Sequence, residues 1–214
     1  MSDTPRTANQ DPGAAAICRA LGLPDDFLLR LLEEDDWSFL IKAHAFIEAA
    51  LTHLLATALR SEALADSIAF LDTSGGRASK LAFAETLDLL PRSGVLFVEQ
   101  FSELRNLVVH NVRNVSFNLA DWYSSRDSNQ QKSFLKRMTY FRAVIPGVNP
   151  IPDAEALDDA RRLCSVSPKY ALWFNLQMFA LSLHIRGQSE QARAKFETLA
   201  GALIASALAR KGSA

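Results

Sequence analysis

The side chains best suited to chemistry lie close together at Arg105, Asn106 and His110 in the run Leu104-Arg105-Asn106-Leu107-Val108-Val109-His110-Asn111. An imidazole titrates near neutral pH, where general acid–base work is most effective, and a guanidinium presents a planar fork to phosphate or carboxylate oxygens. Together they suit proton transfer beside a developing negative charge. Periodicity places them on a helix from Gly94 to about Val115, apolar on most sides except for a polar stripe of Glu103, Asn106, His110 and Arg113 at spacings of three, four and three. On a buried helix such a stripe needs hydrogen-bonding partners or a wet crevice, because stripping polar groups of water costs several kcal/mol. Arg105 and His110 stand about 140° and about 7.5 Å apart on an ideal helix, so aiming both at one point requires a bend or a second copy of the chain.

A second polar stripe is written into the preceding long helix, where His44, Glu48 and Thr52 recur every four residues among apolar neighbours. Glu48 is the expected partner of Arg105. His44 and Glu48 have metal-ligand spacing, but no second set of His or carboxylate residues at matching spacing accompanies them. The expectation is therefore no metal and no cofactor. Gly75-Gly76 near Lys80 lacks the remaining spacing of a phosphate-binding loop and has no apolar strand before it.

The elements that must hold these residues read as helices throughout. Phe27, Leu28, Leu31 and Leu32 follow Asp25 and Asp26 in a short capped helix. From Asp36 to about Arg60 there is no Gly or Pro, and Leu40, Ile47, Leu51, Leu54 and Ala58 keep helical register. A turn at Thr73–Gly76 precedes a helix expected over Arg77 to Leu90. After the motif helix, a polar loop between Trp122 and Gln131 leads to a helix from Lys132 to Ala143. Pro146, Gly147, Pro150 and Pro152 mark an extended connection, and Asp153 caps a helix to about Cys164. Ser167-Pro168 starts the last region, with helices expected to Arg186 and again from Ser189, separated at Gly187. With no alternating strand pattern, the fold class is all-α: a helical bundle with a long first core helix, a central motif-bearing helix and a C-terminal helical extension.

Bulk properties narrow the function classes. A net charge of -1, from 23 basic and 24 acidic residues, supplies no global field for nucleic acid or anionic lipid, so any such contact must be local. The basic residues Lys132, Lys136, Arg137 and Arg142, with Tyr140 and Phe141 for stacking, form either a candidate RNA-tracking surface, which Arg113 would extend, or a solvated helix face. The 2 cysteines, Cys18 and Cys164, make neither a zinc cluster nor a disulfide framework, which suits a reducing cytoplasm. The polar start lacks a secretory signal, and Tyr170–Ile185 is interrupted by Asn175 and Gln177, so a buried helix is expected there and no membrane span. Residues 1–24 are expected to be a disordered lead and 146–214 to pack as C-terminal helices on a core of 25–145. His53 and His184 are assigned no role, and Trp37, Trp122 and Trp173 read as core residues.

The run Arg105-Asn106 followed three residues later by His110-Asn111 resembles the R-x4-6-H motif of HEPN domains, and Trp37–Arg60 is similar to that family's first long helix. The resemblance spans about Asp36 to Trp122. It implies a metal-independent endoribonuclease in which a 2'-hydroxyl attacks the adjacent phosphate to leave a 2',3'-cyclic phosphate, and the second copy that the helix geometry calls for would make it a homodimer. His110 would then move protons, Arg105 would stabilise the phosphorane, and Asn106 would orient the pair or bind phosphate. The settings it implies are toxin–antitoxin pairs, stress response and phage defence, with RNA and an antitoxin or regulatory protein as partners. The helical order and Gly-containing turn also resemble mannitol operon repressor proteins, which implies the alternative of a non-catalytic regulator or adaptor.

Overall fold

The structure, a computed structural model, describes residues 12–110, 112–143 and 154–211, and within them the side chains of 12–110, 114–140, 142, 154–192 and 195. Every regular element among the described residues is helical. The chain enters on α1 (Pro12–Ala20), where Ala14, Ile17 and Cys18 recur at helical spacing and are buried. This corrects the expectation of a disordered lead to residue 24: an apolar stripe within Ala14–Cys18 is enough to dock a short helix on the C-terminal helix. Residues 1–11 of that lead lie outside the described residues. α2 (Phe27–Arg30) buries Leu28. Asp25 and Asp26 do not cap it; they pair with Arg19 and Arg30, each at 2.7 Å.

α3 (Asp36–Ala58) is the central helix, started by the Asp35 carboxylate, which accepts the Ser38 N–H at 2.9 Å. Phe39, Leu40, Phe46, Ile47, Leu51, Leu54 and Leu55 are all buried, so α3 is wrapped by neighbours on most of its circumference. By length and composition α3 could cross a membrane, and 61% of its apolar window is buried inside the fold. A 3-10 turn at Glu62–Leu64 and α4 (Ala65–Ala69) lead to the turn at Gly75 and Gly76, whose φ of 103° and 75° are left-handed conformations that suit glycine. α5 (Lys80–Thr86) begins where Ser79 accepts the Ala82 N–H at 3.1 Å. It is shorter than the predicted Arg77–Leu90 helix, because the chain turns at Asp88 (φ 55°) and leaves Phe83 and Leu87 exposed.

α6 (Arg92–Val109) carries the motif and packs against α3. Its close approach needs Gly94, where a Cβ would lie 2.7 Å from Leu90 Cδ1 and 2.9 Å from Tyr140 Cε2. After a 3-10 turn at Val112–Ser116 come α7 (Leu119–Ser124) and α8 (Ser128–Arg137), the latter started by a capping box between Asp127 and Gln130. The expected loop from Trp122 thus shrinks to Ser125–Asp127. The helix expected to run to Ala143 breaks at Met138–Thr139 before α9 (Tyr140–Ala143). The connection through Pro152 and the Asp153 cap lie outside the described residues.

α10 (Ala154–Val166) and α11 (Pro168–Lys211) complete the bundle. Ser167 caps α11 by accepting the Tyr170 N–H at 2.9 Å, as its place before Pro168 predicts. The break predicted at Gly187 is absent, and α11 runs straight through it with open space where a Cβ would stand. An isolated glycine weakens a helix by about 1 kcal/mol, too little to end one held by packing elsewhere. Helix α11 lies against α1, α3, α9 and α10. The core below the motif is aromatic: Phe97 stacks on Tyr140 at 5.6 Å and meets Phe101 edge-on at 5.2 Å.

Candidate functional site

The crossing of α3 and α6 sets two polar side chains face to face inside an apolar contact. His44 and Ser102, 6% and 5% exposed, bond through His44 Nε2 and Ser102 Oγ at 3.1 Å. One helical turn along α3, the Glu48 carboxylate lies 3.6 Å from His44 Nδ1 and accepts the Thr73 hydroxyl through its other oxygen. One turn along α6 stand Arg105 and Asn106, at i+3 and i+4 from Ser102 and therefore on the same face. The turn Asp72-Thr73-Ser74 closes the third side. The result is a polar pocket of about 250 Å³ lined by side chains from α3, α6 and this turn.

Electrostatically the pocket is organised around Glu48. The neighbouring His44 is the largest influence holding its carboxyl far below the ordinary 4.5, at about 2; partial burial opposes this, and Thr73 and the positive charge of Lys80 reinforce it. Lys80 is itself buried and donates to the Ala69 carbonyl at 3.1 Å. The ion pair expected between Glu48 and Arg105 is corrected here: both line the pocket, but Glu48 is engaged by His44 and Thr73, and Arg105 donates to Asn106 Oδ1 at 3.1 Å.

No protein-family model, curated protein or solved structure matches this chain.

His110 falls elsewhere. It is the exposed C-cap of α6 and is not among the residues that line the pocket. The helix ends there because its last carbonyls find other donors: the Trp37 indole bonds the Val108 carbonyl at 3.3 Å, and the Asn114 amide bonds the Leu107 carbonyl at 2.7 Å. The stripe expected on a buried helix also needs correcting. Glu103, Asn106 and His110 face outward, and Glu103 pairs with Arg137 at 2.7 Å. The Arg113 side chain lies outside the described residues.

The candidate RNA-tracking surface is divided rather than continuous. Lys136 is exposed, Lys132 edges a separate hollow with Tyr123 and Arg161, and Arg137 is held by Glu103. Arg142 is paired with Asp159 at 2.6 Å and Glu155 at 3.3 Å. Tyr140 is buried and bonded to Ser182 at 2.5 Å, so its ring serves the core and not base stacking. The Phe141 side chain lies outside the described residues.

Sequence reasoning missed Ser102 and Thr73 and weighed His44 only as a member of a polar stripe with metal-ligand spacing. The available signal was the pairing of two short patterns: His44 and Glu48 four apart, and Ser102 three residues before Arg105. Neither pattern says that the two helices cross at those positions.

Proposed function

We propose that the chain is a metal-independent endoribonuclease of the HEPN type, acting as a homodimer. What carries the reading is Arg105, oriented by Asn106 at the rim of a polar pocket, with His110 five residues on at the helix end. Arg105 neutralises the phosphorane as the 2'-hydroxyl attacks, and His110 moves the proton. Because His110 stands outside the Arg105 pocket, the pair comes together only when a second copy brings its own motif alongside. Exposed Leu107, Val109 and Val115 flank the motif and give such a contact an apolar component.

The same displacement of His110 favours a second reading, a non-catalytic regulator or adaptor similar to mannitol operon repressors, in which Arg105 serves a structural pocket. Incubation of metal-stripped protein with mixed cellular RNA in EDTA separates the two. Cleavage that leaves 2',3'-cyclic phosphate ends and disappears in His110→Ala supports the nuclease. Intact RNA after incubation with folded, dimeric protein supports the adaptor.

A further inference from the structure

Glu48, His44 and Ser102, which line the pocket, have an order of their own. The Glu48 carboxylate sits on the Nδ1 side of His44, which favours the tautomer that carries its proton at Nδ1 and leaves the Nε2 lone pair to its other neighbour. That neighbour is the Ser102 hydroxyl at 3.1 Å, the donor to Nε2 in this tautomer. Thr73 fixes the far oxygen of Glu48, leaving the carboxylate little freedom to turn away. A hydroxyl held by an imidazole that is oriented by a carboxylate is the arrangement that activates a serine, recognised by geometry and roles and not by sequence order. The 3.6 Å separation of His44 and Glu48 is longer than a hydrogen bond, as such contacts often are before substrate binds.

The surroundings supply the remaining parts. Ser102 lines the pocket, and Arg105 and Asn106 project from the same face of α6 one turn on. The bond from Arg105 occupies Asn106 Oδ1, which leaves the Asn106 amide N–H groups free to donate.

We propose that Ser102, His44 and Glu48 form a nucleophile relay that hydrolyses a small carboxylic ester bearing an anionic group, with Arg105 holding that group. Ser102 Oγ bonds to the acyl carbon as its proton passes to His44 Nε2, and Asn106 donates to the oxyanion. The ester C–O bond then breaks, and the leaving alcohol takes the proton from His44. Water adds to the acyl carbon, giving a proton to Nε2. The carbon–Ser102 bond breaks, Ser102 recovers its proton, and the acid departs.

The test is covalent labelling of the full chain with a fluorophosphonate, followed by peptide mass mapping. The expected result is a single adduct on Ser102, lost in Ser102→Ala and formed at least about 100-fold more slowly in His44→Gln. Turnover of an anionic nitrophenyl hemisuccinate is expected to exceed that of the neutral acetate ester, with the preference lost in Arg105→Ala. Absence of an adduct on folded wild-type protein overturns the proposal, as does labelling of His44→Gln at the wild-type rate. The wild-type map decides the matter even where a variant fails to fold, and no RNA is needed, so the outcome is independent of ribonuclease activity.

Discussion

Replacing Glu48 with Gln removes the one charge around which the pocket is organised while keeping its shape and a hydrogen-bonding oxygen for Thr73. The carboxyl is held at about 2 against an ordinary 4.5, so the folded state prefers the ionised form. A lowered folded-state pKa contributes stability that is fully present above 4.5 and is lost as pH falls from there toward 2. Without screening, the difference corresponds to about 3 kcal/mol. The Glu48 side chain is 42% exposed, however, and solvent screening reduces the contribution to about 1–2 kcal/mol. Glu48→Gln is therefore expected to be less stable than wild type by that amount at about pH 7, with the gap narrowing as both are acidified from about pH 5 toward about pH 2. Urea unfolding followed by far-UV circular dichroism, repeated at several pH values, measures the gap directly. A gap that stays constant down to the acid end would refute the reasoning, since it would show that Gln costs stability through packing and not through the lost charge.

Gly94→Ala is expected to lower stability by about 1–3 kcal/mol despite the better helix propensity of alanine, because the new Cβ meets Leu90 and Tyr140 at under 3 Å; thermal melts check this. Asn175→Leu is expected to cost about 1–3 kcal/mol, since Asn175 is fully buried and donates to the Met138 carbonyl at 3.0 Å and the Ala171 carbonyl at 2.9 Å; a melt that matches wild type would show those carbonyls do without it. Burial pushes the Cys164 thiol up to about 12, so iodoacetamide at about pH 8 is expected to spare it in folded protein and modify it in urea, as read by intact mass.

Where a helix interior is governed by its own periodicity, the sequence was enough. Leu40, Ile47, Leu51 and Leu54 are buried on α3 as their spacing predicts, and Ser167-Pro168 starts α11 at the expected residue. What local pattern could not supply were decisions made by distant partners. Gly187 looks like a stop, yet α11 continues through it. The apolar residues through Val115 look like more helix, yet the Trp37 indole, 71 residues away in sequence, takes the Val108 carbonyl and α6 ends. Phe83 and Leu87 fit a helical core face but stand in solvent because the Asp88 turn ends α5 early. In the site, Arg105 and Asn106 were legible as neighbours able to bond each other. Ser102 was not, since a serine inside a helix has no meaning until the residue facing it across 58 positions is known to be His44.

The early end of α6 also separates two kinds of chemistry that a longer helix would have blurred. Within the bundle, the crossing of α3 and α6 fixes Ser102, His44, Glu48 and Arg105 around one pocket without help from another molecule. At the helix end, His110 is exposed, as are Leu107 and Val109, and among the described residues it is not part of that pocket. Proton transfer through His44, as proposed, would therefore be a property of the single chain, whereas proton transfer through His110 would require something to cover the corner and raise the worth of its charge in a drier environment. Dilution distinguishes them: chemistry at Ser102 is first order in protein at any concentration, and joint action of Arg105 and His110 falls away below the concentration at which two copies associate.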